Sequence, residues 1–402
     1  MTLASFPALR LGLRSLKRQW WLGLLVIGMT IASAGLTRAA AQAASVEMRV
    51  AIDENANAVK VGSSTNAVVT DGAGNKLGEI AAMNSFVAQL NQGNVALDKW
   101  KGRQVWVEPS EGGYVWIGDR WYRGRAQVIP TANGVTAINH VDLEQYLYSV
   151  LGKEMGKGWP LEALKAQAVA ARSYALYQRQ NGGKAGYDLG NTQAWQVYEG
   201  IDDESLGTQT AVNQTAGQVL INNGQIIEAV FHSSAGGCTE NVEDVWVQAL
   251  PYLRSVTDFD TTSSVASWKE EIDRSRLSAK IPGVGEVVSL SPESVSGCGR
   301  IKSMLVVGDK GKRSMSGDAL QAALGLKSTL FRIKPIKATA VAPGKDKAQP
   351  LPSAFLIEGR GFGHGLGLSQ YGALTLSQRG KNYQEILRHY YQNTTLAKIE
   401  VK

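Results

Sequence analysis

The apolar and polar positions after the amino-terminal segment follow a strand-like pattern. Met48 to Ile52 place apolar side chains at alternate positions, which is the period of a strand with one buried face. Glycine-containing turn signals recur at Asp71-Gly72 and Gly112-Gly113, and tryptophans stand in the runs between and after them. These features predict a β-rich region over residues 44–130. Ala137 to Val141 predict a further strand.

The pattern then changes to helical spacing. Asp142 is placed to cap a helix that contains Tyr146 and Leu147. Apolar residues after Pro160 recur three or four positions apart, which predicts a long alanine-rich helix to about Gln180. Downstream, Asn223-Gly224 suits the positive φ angles of a tight hairpin turn. The chain is therefore predicted to be an α+β protein whose long helix lies beside a groove.

The amino terminus has the layout of a secretory signal. Residues 1–43 carry five cations and no acid, an apolar run from Trp20 to about Ala34, and small residues near Ala41. A retained membrane anchor is the alternative, but the apolar run is shorter than the roughly 20 residues of a membrane span. We therefore predict a signal peptide over residues 1–43 and a protein exported to the periplasm or cell envelope.

Charge argues against a nucleic-acid partner. The full-chain net charge of +7 falls to +2 without the five amino-terminal cations. No cluster of Lys and Arg with interleaved aromatic residues remains, so nucleic-acid binding is not predicted.

The two cysteines and a proline-rich stretch complete the outline. Cys238 and Cys298 fit a single disulfide in an exported protein. The stretch from Lys334 to Ser353 contains four prolines and several lysines, which predicts an exposed insertion within a domain that spans residues 131–402.

One carboxylate is a candidate proton donor. Glu154 lies among the glycines at positions 152, 156 and 158, which predicts a mobile loop before the alanine-rich helix. Trp159 offers an apolar wall that would raise a neighbouring carboxyl pKa. An acid that stays protonated near neutral pH can break an acetal bond.

Three segments in order resemble the stage II sporulation protein D family. They are residues 141–175, residues 229–256, which include Phe231-His232-Ser233, and residues 359–373, which include Gly359-Arg-Gly-Phe-Gly-His-Gly365 and Ser369-Gln-Tyr-Gly372. The resemblance covers about residues 122–396. It implies either a lytic transglycosylase that cleaves peptidoglycan glycan strands, with stripped glycan the expected substrate, or a non-catalytic wall-binding module that enhances an N-acetylmuramoyl-L-alanine amidase.

The resemblance also assigns roles to residues. Glu154 aligns with the catalytic acid of the active members. The residues expected to position the sugar chain are Lys165, Arg172, His232, Ser233, His364, Gln370 and Tyr371. Most glycosidases need a second carboxylate, whereas a transglycosylase can use the C6 hydroxyl of the substrate itself. Auxiliary acids left open by the sequence are Glu162, Glu240, Glu243 and Asp244.

Two motifs admit more than one interpretation. The alternating glycines of residues 359–367, if extended, leave one face bare for a sugar ring or for a close backbone neighbour. Some family members bind zinc through His and Cys near His232, but only His232 and Cys238 match here, so a disulfide or an isolated pair is favoured over a metal site. No cofactor is predicted.

Overall fold

The computed structural model describes residues 46–110, 112–183, 186–246, 248–261, 263–338 and 351–399. The predicted signal peptide and the middle of the predicted insertion lie outside these residues. The fold is mixed α+β and rich in strands, as predicted. None of the helices in the described ranges combines the length and apolar character needed to cross a bilayer.

The first half of the chain is mostly strands until two consecutive helices begin at residue 143. Strands β1 to β12 are Glu47–Ala56, Ala58–Ser63, Ala67–Asp71, Lys76–Ile80, Asn84–Asn91, Asn94–Leu97, Trp100–Gly102, Val105–Pro109, Val115–Ile117, Arg120–Tyr122, Arg125–Pro130 and Val135–Asp142. The elements that follow are α1 Leu143–Met155, α2 Leu161–Asn181, β13 Leu189–Gly190, a 3-10 turn Ile201–Asp203, α3 Leu206–Gln214, β14 Gln218–Asn222, β15 Gln225–Ile226, β16 Phe231–His232 and α4 Val242–Val245.

The second half contains shorter sheets and helices. These elements are β17 Ser267–Asp273, α5 Arg274–Lys280, β18 Val287–Val295, β19 Ile301–Gly308, β20 Gly311–Ser316, α6 Gly317–Leu324, β21 Phe331–Ala338, β22 Pro352–Arg360, β23 Leu368–Ser369, α7 Gln370–Gln378, α8 Tyr383–Tyr390 and β24 Thr395–Lys398.

Two sheets account for the β-rich amino-terminal region. The larger has the strand order β13-β1-β12-β11-β8-β3-β4, and the smaller has the order β10-β9-β2-β5-β6-β7. Their buried faces share one hydrophobic core with helices α1 and α2. The boundary predicted at residue 130 separates β11 from β12, which are antiparallel neighbours in the larger sheet.

Helices α1 and α2 begin where local signals predict. The Asp142 side chain accepts a hydrogen bond from the Gln145 N–H at 3.0 Å and so caps α1. Helix α2 follows Pro160 and ends within one residue of the predicted Gln180. Its alanines are fully buried, because small side chains let α1, α3, α7 and α8 approach closely.

A second hydrophobic core lies between the middle and carboxy-terminal motifs. It is formed by residues of β17 to β22, α5 and α6, with Trp268, Met304 and Phe355 among its buried members. The ends of the predicted insertion lie in strands that border this core, since Lys334 lies in β21 and Ser353 in β22. Prolines fit there because β21 is an edge strand, where a missing N–H leaves no ladder bond unmade.

One strand pairing is the hairpin predicted from the sequence, and another joins two motifs that are distant in the chain. The predicted hairpin is present, with Asn223 and Gly224 both at positive φ, although its second strand is shorter than predicted. Strand β16 pairs in parallel with β23, so that His232 lies opposite Ser369. This pairing joins the middle motif to the carboxy-terminal motif.

Candidate active site

Glu154 lies in the last turn of helix α1, not in the mobile loop that the glycines suggested. Gly152 is buried in the helix, and a Cβ there would clash with the backbone carbonyl of Asp203, so only glycine fits at this position. Gly156, at φ +87°, ends the helix. The glycines therefore permit close packing and a sharp stop, and Glu154 has a helical backbone.

Two segments distant in sequence hold the Glu154 carboxylate. The Val197 N–H donates to Oε1 at 2.9 Å, and the Gln370 side-chain amide donates to Oε2 at 3.3 Å. Burial raises the pKa of Glu154, although both hydrogen bonds act in the opposite direction. Among the described residues, no cation forms an ion pair with it. The carboxyl group is thus an acid that keeps its proton to a higher pH than a free glutamate.

Gln196 fixes the backbone that holds Glu154. Its fully buried side chain accepts a hydrogen bond from the Tyr146 hydroxyl at 3.0 Å and donates to the Ala171 carbonyl at 3.1 Å. The loop is thereby tied to both α1 and α2, which fixes the position of the Val197 N–H. The sequence did not predict that Gln196 and Val197 hold Glu154, because the only feature of this segment is a run of polar and aromatic residues in a loop.

The start of helix α7 supplies the other side of the site. Ser369 caps the helix by accepting from the Gly372 N–H, and the next residue is Gln370. The Tyr371 N–H donates to the Ser233 carbonyl at 3.0 Å. Its ring packs edge-on against Trp159, with ring centroids 5.1 Å apart.

The structure thus brings Gln370 to the Glu154 carboxylate, and the backbone bond from Tyr371 links this segment to Ser233. Trp159 also packs close to Gly156, the residue that ends helix α1. The Trp159 indole nitrogen would lie about 3.4 Å from a Cβ added to Gly156.

His232 and His364 form a neutral pair beside this site. Their ring centroids are 5.1 Å apart. His232 Nδ1 lies 3.0 Å from the Leu366 carbonyl, so this nitrogen carries the proton, while His364 accepts from the Leu366 N–H and bonds the Phe231 carbonyl. Burial, with the nearby charge of Arg300, lowers the pKa of His364 to about 4 and that of His232 well below its usual value.

The segment Gly359 to Gly367, here termed the glycine ribbon, is not an extended strand with one bare face. Strand β22 ends at Arg360, and Gly361, Gly363, Gly365 and Gly367 all have positive φ. A Cβ on Gly361 would stand 2.7 Å from the Ser234 carbonyl oxygen. At Gly361 the close neighbour is therefore protein backbone, which is the second of the two alternatives that the sequence left open, whereas at Gly365 it is the Arg300 side chain.

The structure does not bring Arg172 to the groove. Its side chain is 0% exposed and forms a two-pronged ion pair with Glu144. The guanidinium also donates to the Gln218 carbonyl at 3.1 Å. Arg172 does lie on helix α2 as its spacing predicts. The predicted ligand role is not supported, because this side of α2 faces α1 and β14 and not solvent.

Lys165 also has a protein partner. It contacts Glu162 at 2.7 Å and lies over the Tyr383 ring. Glu162 in turn accepts from the Tyr383 N–H at the start of α8. Both residues thus join α2 to α8, which gives Glu162 a structural partner in place of an auxiliary catalytic role.

The remaining auxiliary acids are engaged elsewhere. Glu243 pairs with Arg254 and Asp244 with Lys302. Glu240 is buried beside Ser296 and is not bonded to the Glu154 carboxylate.

The cysteine prediction is confirmed by a disulfide between Cys238 and Cys298. Cys238 is therefore not available as a zinc ligand. Across the described ranges, no three His, Cys, Asp or Glu side chains converge in a way that could hold a metal ion.

Comparison with known proteins defines the family. A family model described as stage II sporulation protein matches residues 131–222. Stage II sporulation protein D of Bacillus subtilis is 30% identical over 293 residues, which cover 68% of this chain and 79% of that protein. The chain belongs to the stage II sporulation protein D family. The resemblance inferred from the three motifs is thus confirmed.

Other relatives show how the similarity is distributed. An uncharacterized protein of Brachyspira hyodysenteriae is 29% identical over 276 residues, 68% of this chain and 72% of that protein. An amidase enhancer of Bacillus subtilis is 32% identical over 295 residues, but these span 62% of this chain and only 40% of the enhancer. A second model, Domain of unknown function (DUF8618), matches residues 259–367 and so includes the second hydrophobic core.

Proposed function

We propose that this member of the stage II sporulation protein D family is an exported lytic transglycosylase that cleaves peptidoglycan glycan strands. The observation that carries the proposal is the Glu154 carboxyl group, whose pKa is raised by burial and with which no cation among the described residues forms an ion pair. Export is proposed from the signal-like residues 1–43.

In the proposed reaction, Glu154 acts first as an acid and then as a base. Val197 makes the shorter hydrogen bond, to Oε1, so we assign the proton to Oε2, and this proton passes to the glycosidic oxygen as the C1–O bond breaks. The carboxylate so formed takes the proton of the C6 hydroxyl of the same muramic acid ring. The C6 oxygen then bonds to C1 and gives a 1,6-anhydro end without water.

The surrounding residues support this use of a single carboxylate. Gln370 donates to Oε2, and the next residue, Tyr371, packs its ring edge-on against Trp159. The neutral His232 and His364 neither compete for the Glu154 proton nor stabilise its ionised form as a cation would.

The test is digestion of glycan strands stripped of stem peptides, with mass spectrometry of the products. The parent protein should release 1,6-anhydro ends. Glu154→Gln should lower the rate at least about 100-fold, because loss of a general acid removes a factor of this order. Glu108→Gln, an exposed glutamate on β8, is the matched control and should be unchanged. Products from the Glu154 variant at the parent rate would refute the assignment.

The second candidate function is a wall-binding enhancer of an amidase. It is favoured by the relative named an amidase enhancer. An enhancer needs the groove but not an ionisable acid at position 154. If Glu154→Gln and the parent protein stimulate a purified N-acetylmuramoyl-L-alanine amidase equally, and neither releases 1,6-anhydro products, the enhancer function holds and the transglycosylase does not.

A further inference from the structure

A cleft of about 500 Å³ lies beside the second hydrophobic core and has no assigned role. The residues that line it include Lys269, Cys298, Leu330, Arg332, Glu358 and Arg360. Among the described residues that line it, none contacts the Glu154 carboxylate. Its volume falls within the range of small-molecule pockets, roughly 300–1,000 Å³.

One face of the sheet β17-β22-β21 supplies the charged residues of the cleft. Strand pairing places Lys269 and Arg332 on either side of Glu358 in neighbouring strands, and directly paired residues share a face. Arg360 lies two residues after Glu358 and therefore points to the same side. Alternate residues such as Trp268 point the other way, into the second hydrophobic core.

The acid of the cleft is already paired, whereas its two arginines are not. Glu358 contacts Lys269 at 2.7 Å and Lys334 at 3.0 Å. Hydrogen bonds from these lysines, together with their charge, lower the pKa of Glu358 to about 2. Neither Arg332 nor Arg360 forms an ion pair with any of the described acids. The lining therefore carries two arginine charges that lack a counter-charge.

A third guanidinium adds positive charge behind Arg360. Arg300 is only 2% exposed, and burial lowers its pKa to about 10. The charge of Arg360 acts in the same direction, while nearby acids act in the opposite one. The two guanidinium groups are thus close enough to repel each other, and an anion in contact with Arg360 would relieve this repulsion.

The disulfide fixes the wall that faces Arg360. Cys298 lines the cleft and is bonded to Cys238. Arg360 Nη1 lies 3.9 Å from where a Cβ on Gly237 would stand, so the guanidinium reaches the turn just before Cys238. The wall and the arginine are therefore held by the same turn, which gives a ligand a site formed in advance.

Two arginines without acid partners on one face suit a phosphate group. A guanidinium presents paired N–H donors to an oxyanion. A phosphate monoester carries a charge of about −1.5 to −2 near neutral pH and three acceptor oxygens, so it can engage two guanidinium groups together. A carboxylate has a single charge and two oxygens, which one arginine satisfies.

We propose that the cleft between Arg332 and Arg360 binds a phosphate group carried by a larger molecule, for which the rest of the cleft leaves room. The inference goes beyond the proposed glycan cleavage and does not depend on it, because Glu154 and the two residues that bond its carboxylate lie outside the cleft.

Binding is tested with the full chain and inorganic phosphate, titrated by calorimetry at low ionic strength, since salt screens exposed charges. Arg332→Gln and Arg360→Gln should each weaken phosphate binding about fivefold or more, because each removes charge-assisted hydrogen bonds. Arg276→Gln is the matched control: it removes the same charge from an exposed position on α5, outside the cleft, and should bind as the parent does. Unchanged affinity in both cleft variants, or an equal loss in Arg276→Gln, would overturn the site.

The fork geometry and the preference for phosphate have their own measurements. Arg332→Lys keeps the charge but not the paired donors, and should recover only part of the affinity lost in Arg332→Gln. Succinate should bind the parent more weakly than phosphate at equal ionic strength, and equal binding would overturn the assignment to phosphate. Thermal unfolding of each variant identifies one that has lost its fold.

Two competitors distinguish the sources of the phosphate group. Glycerol 1-phosphate carries a terminal monoester, and poly(glycerol phosphate) carries a chain of phosphodiesters. Stronger displacement of inorganic phosphate by the first assigns a terminal phosphate, and stronger displacement by the second assigns a phosphodiester chain. Either result supports the site if Arg360→Gln weakens that competitor as well. Displacement by neither would restrict the cleft to the free ion and overturn the proposal.

Discussion

Replacing Arg172 separates a structural role from a ligand-binding one. Arg172→Met keeps the apolar part of the side chain but removes the two-pronged contact with Glu144 and the donor to Gln218. Breaking a buried ion pair from one side costs about 3–5 kcal/mol. Glu144 is 24% exposed, so water can partly solvate the abandoned carboxylate and the lower end, about 3 kcal/mol, is expected.

Urea unfolding followed by circular dichroism measures this loss. At about 2 °C per kcal/mol for a large domain, the melting temperature should fall by about 6 °C. Arg179→Met, an exposed arginine on the same helix, is the control and should change stability by less than about 0.5 kcal/mol. Affinity for glycan strands stripped of stem peptides should be unchanged in folded Arg172→Met. Unaltered stability together with lost glycan binding would refute the reasoning and place Arg172 at the ligand.

Three further predictions concern pH, the disulfide and the glycine ribbon. Because burial raises the pKa of Glu154, release of 1,6-anhydro ends should decline as pH rises through that pKa, and a pH profile that climbs there would contradict the acid role. Joint replacement of Cys238 and Cys298 by serine removes a disulfide between residues 60 apart in the chain. Urea titration should show the free energy of unfolding lowered by about 4 kcal/mol. A loss below about 1 kcal/mol would contradict a stabilising role for the disulfide. Gly365→Ala should destabilise the protein more than Gly380→Ala. Both glycines have φ above +80°, but only a Cβ at Gly365 would stand about 2.5 Å from the buried Arg300 side chain. Equal unfolding midpoints for the two variants would argue against that contact.

Local chemistry made part of the fold predictable. Asp142 could be identified as a helix cap, and Asn223-Gly224 as a hairpin turn, because each signal acts over four residues or fewer. The start of α2 after Pro160 is of the same kind. Cys238 and Cys298 could be named as a candidate disulfide because the chain has no other cysteine, but only the structure shows that they meet.

Features that depend on residues distant in the chain were harder to predict from the sequence. Arg172 has the spacing of an exposed helical cation, and only the position of Glu144 on a neighbouring helix explains its burial. The strand β21 was predicted as part of an exposed insertion, because Pro335 resembles a linker residue until β21 is known to be an edge strand. The contribution of Gln196 requires Tyr146 and Ala171 to be adjacent in space.

The environment of Glu154 also distinguishes the two candidate functions through stability. A carboxyl whose folded pKa is raised contributes stability that is fully present below its unfolded pKa and is lost as pH rises through the folded value. Above the unfolded pKa, the Glu154 carboxyl therefore lowers the free energy of unfolding. A catalyst needs such an acid, whereas a binding module does not. Glu154→Gln should therefore gain stability relative to the parent as pH rises from 4 to 8, because an amide can accept from Val197 without ionising. Chemical denaturation at several pH values measures the difference, and a constant difference would mean that Glu154 is solvated and is no acid catalyst.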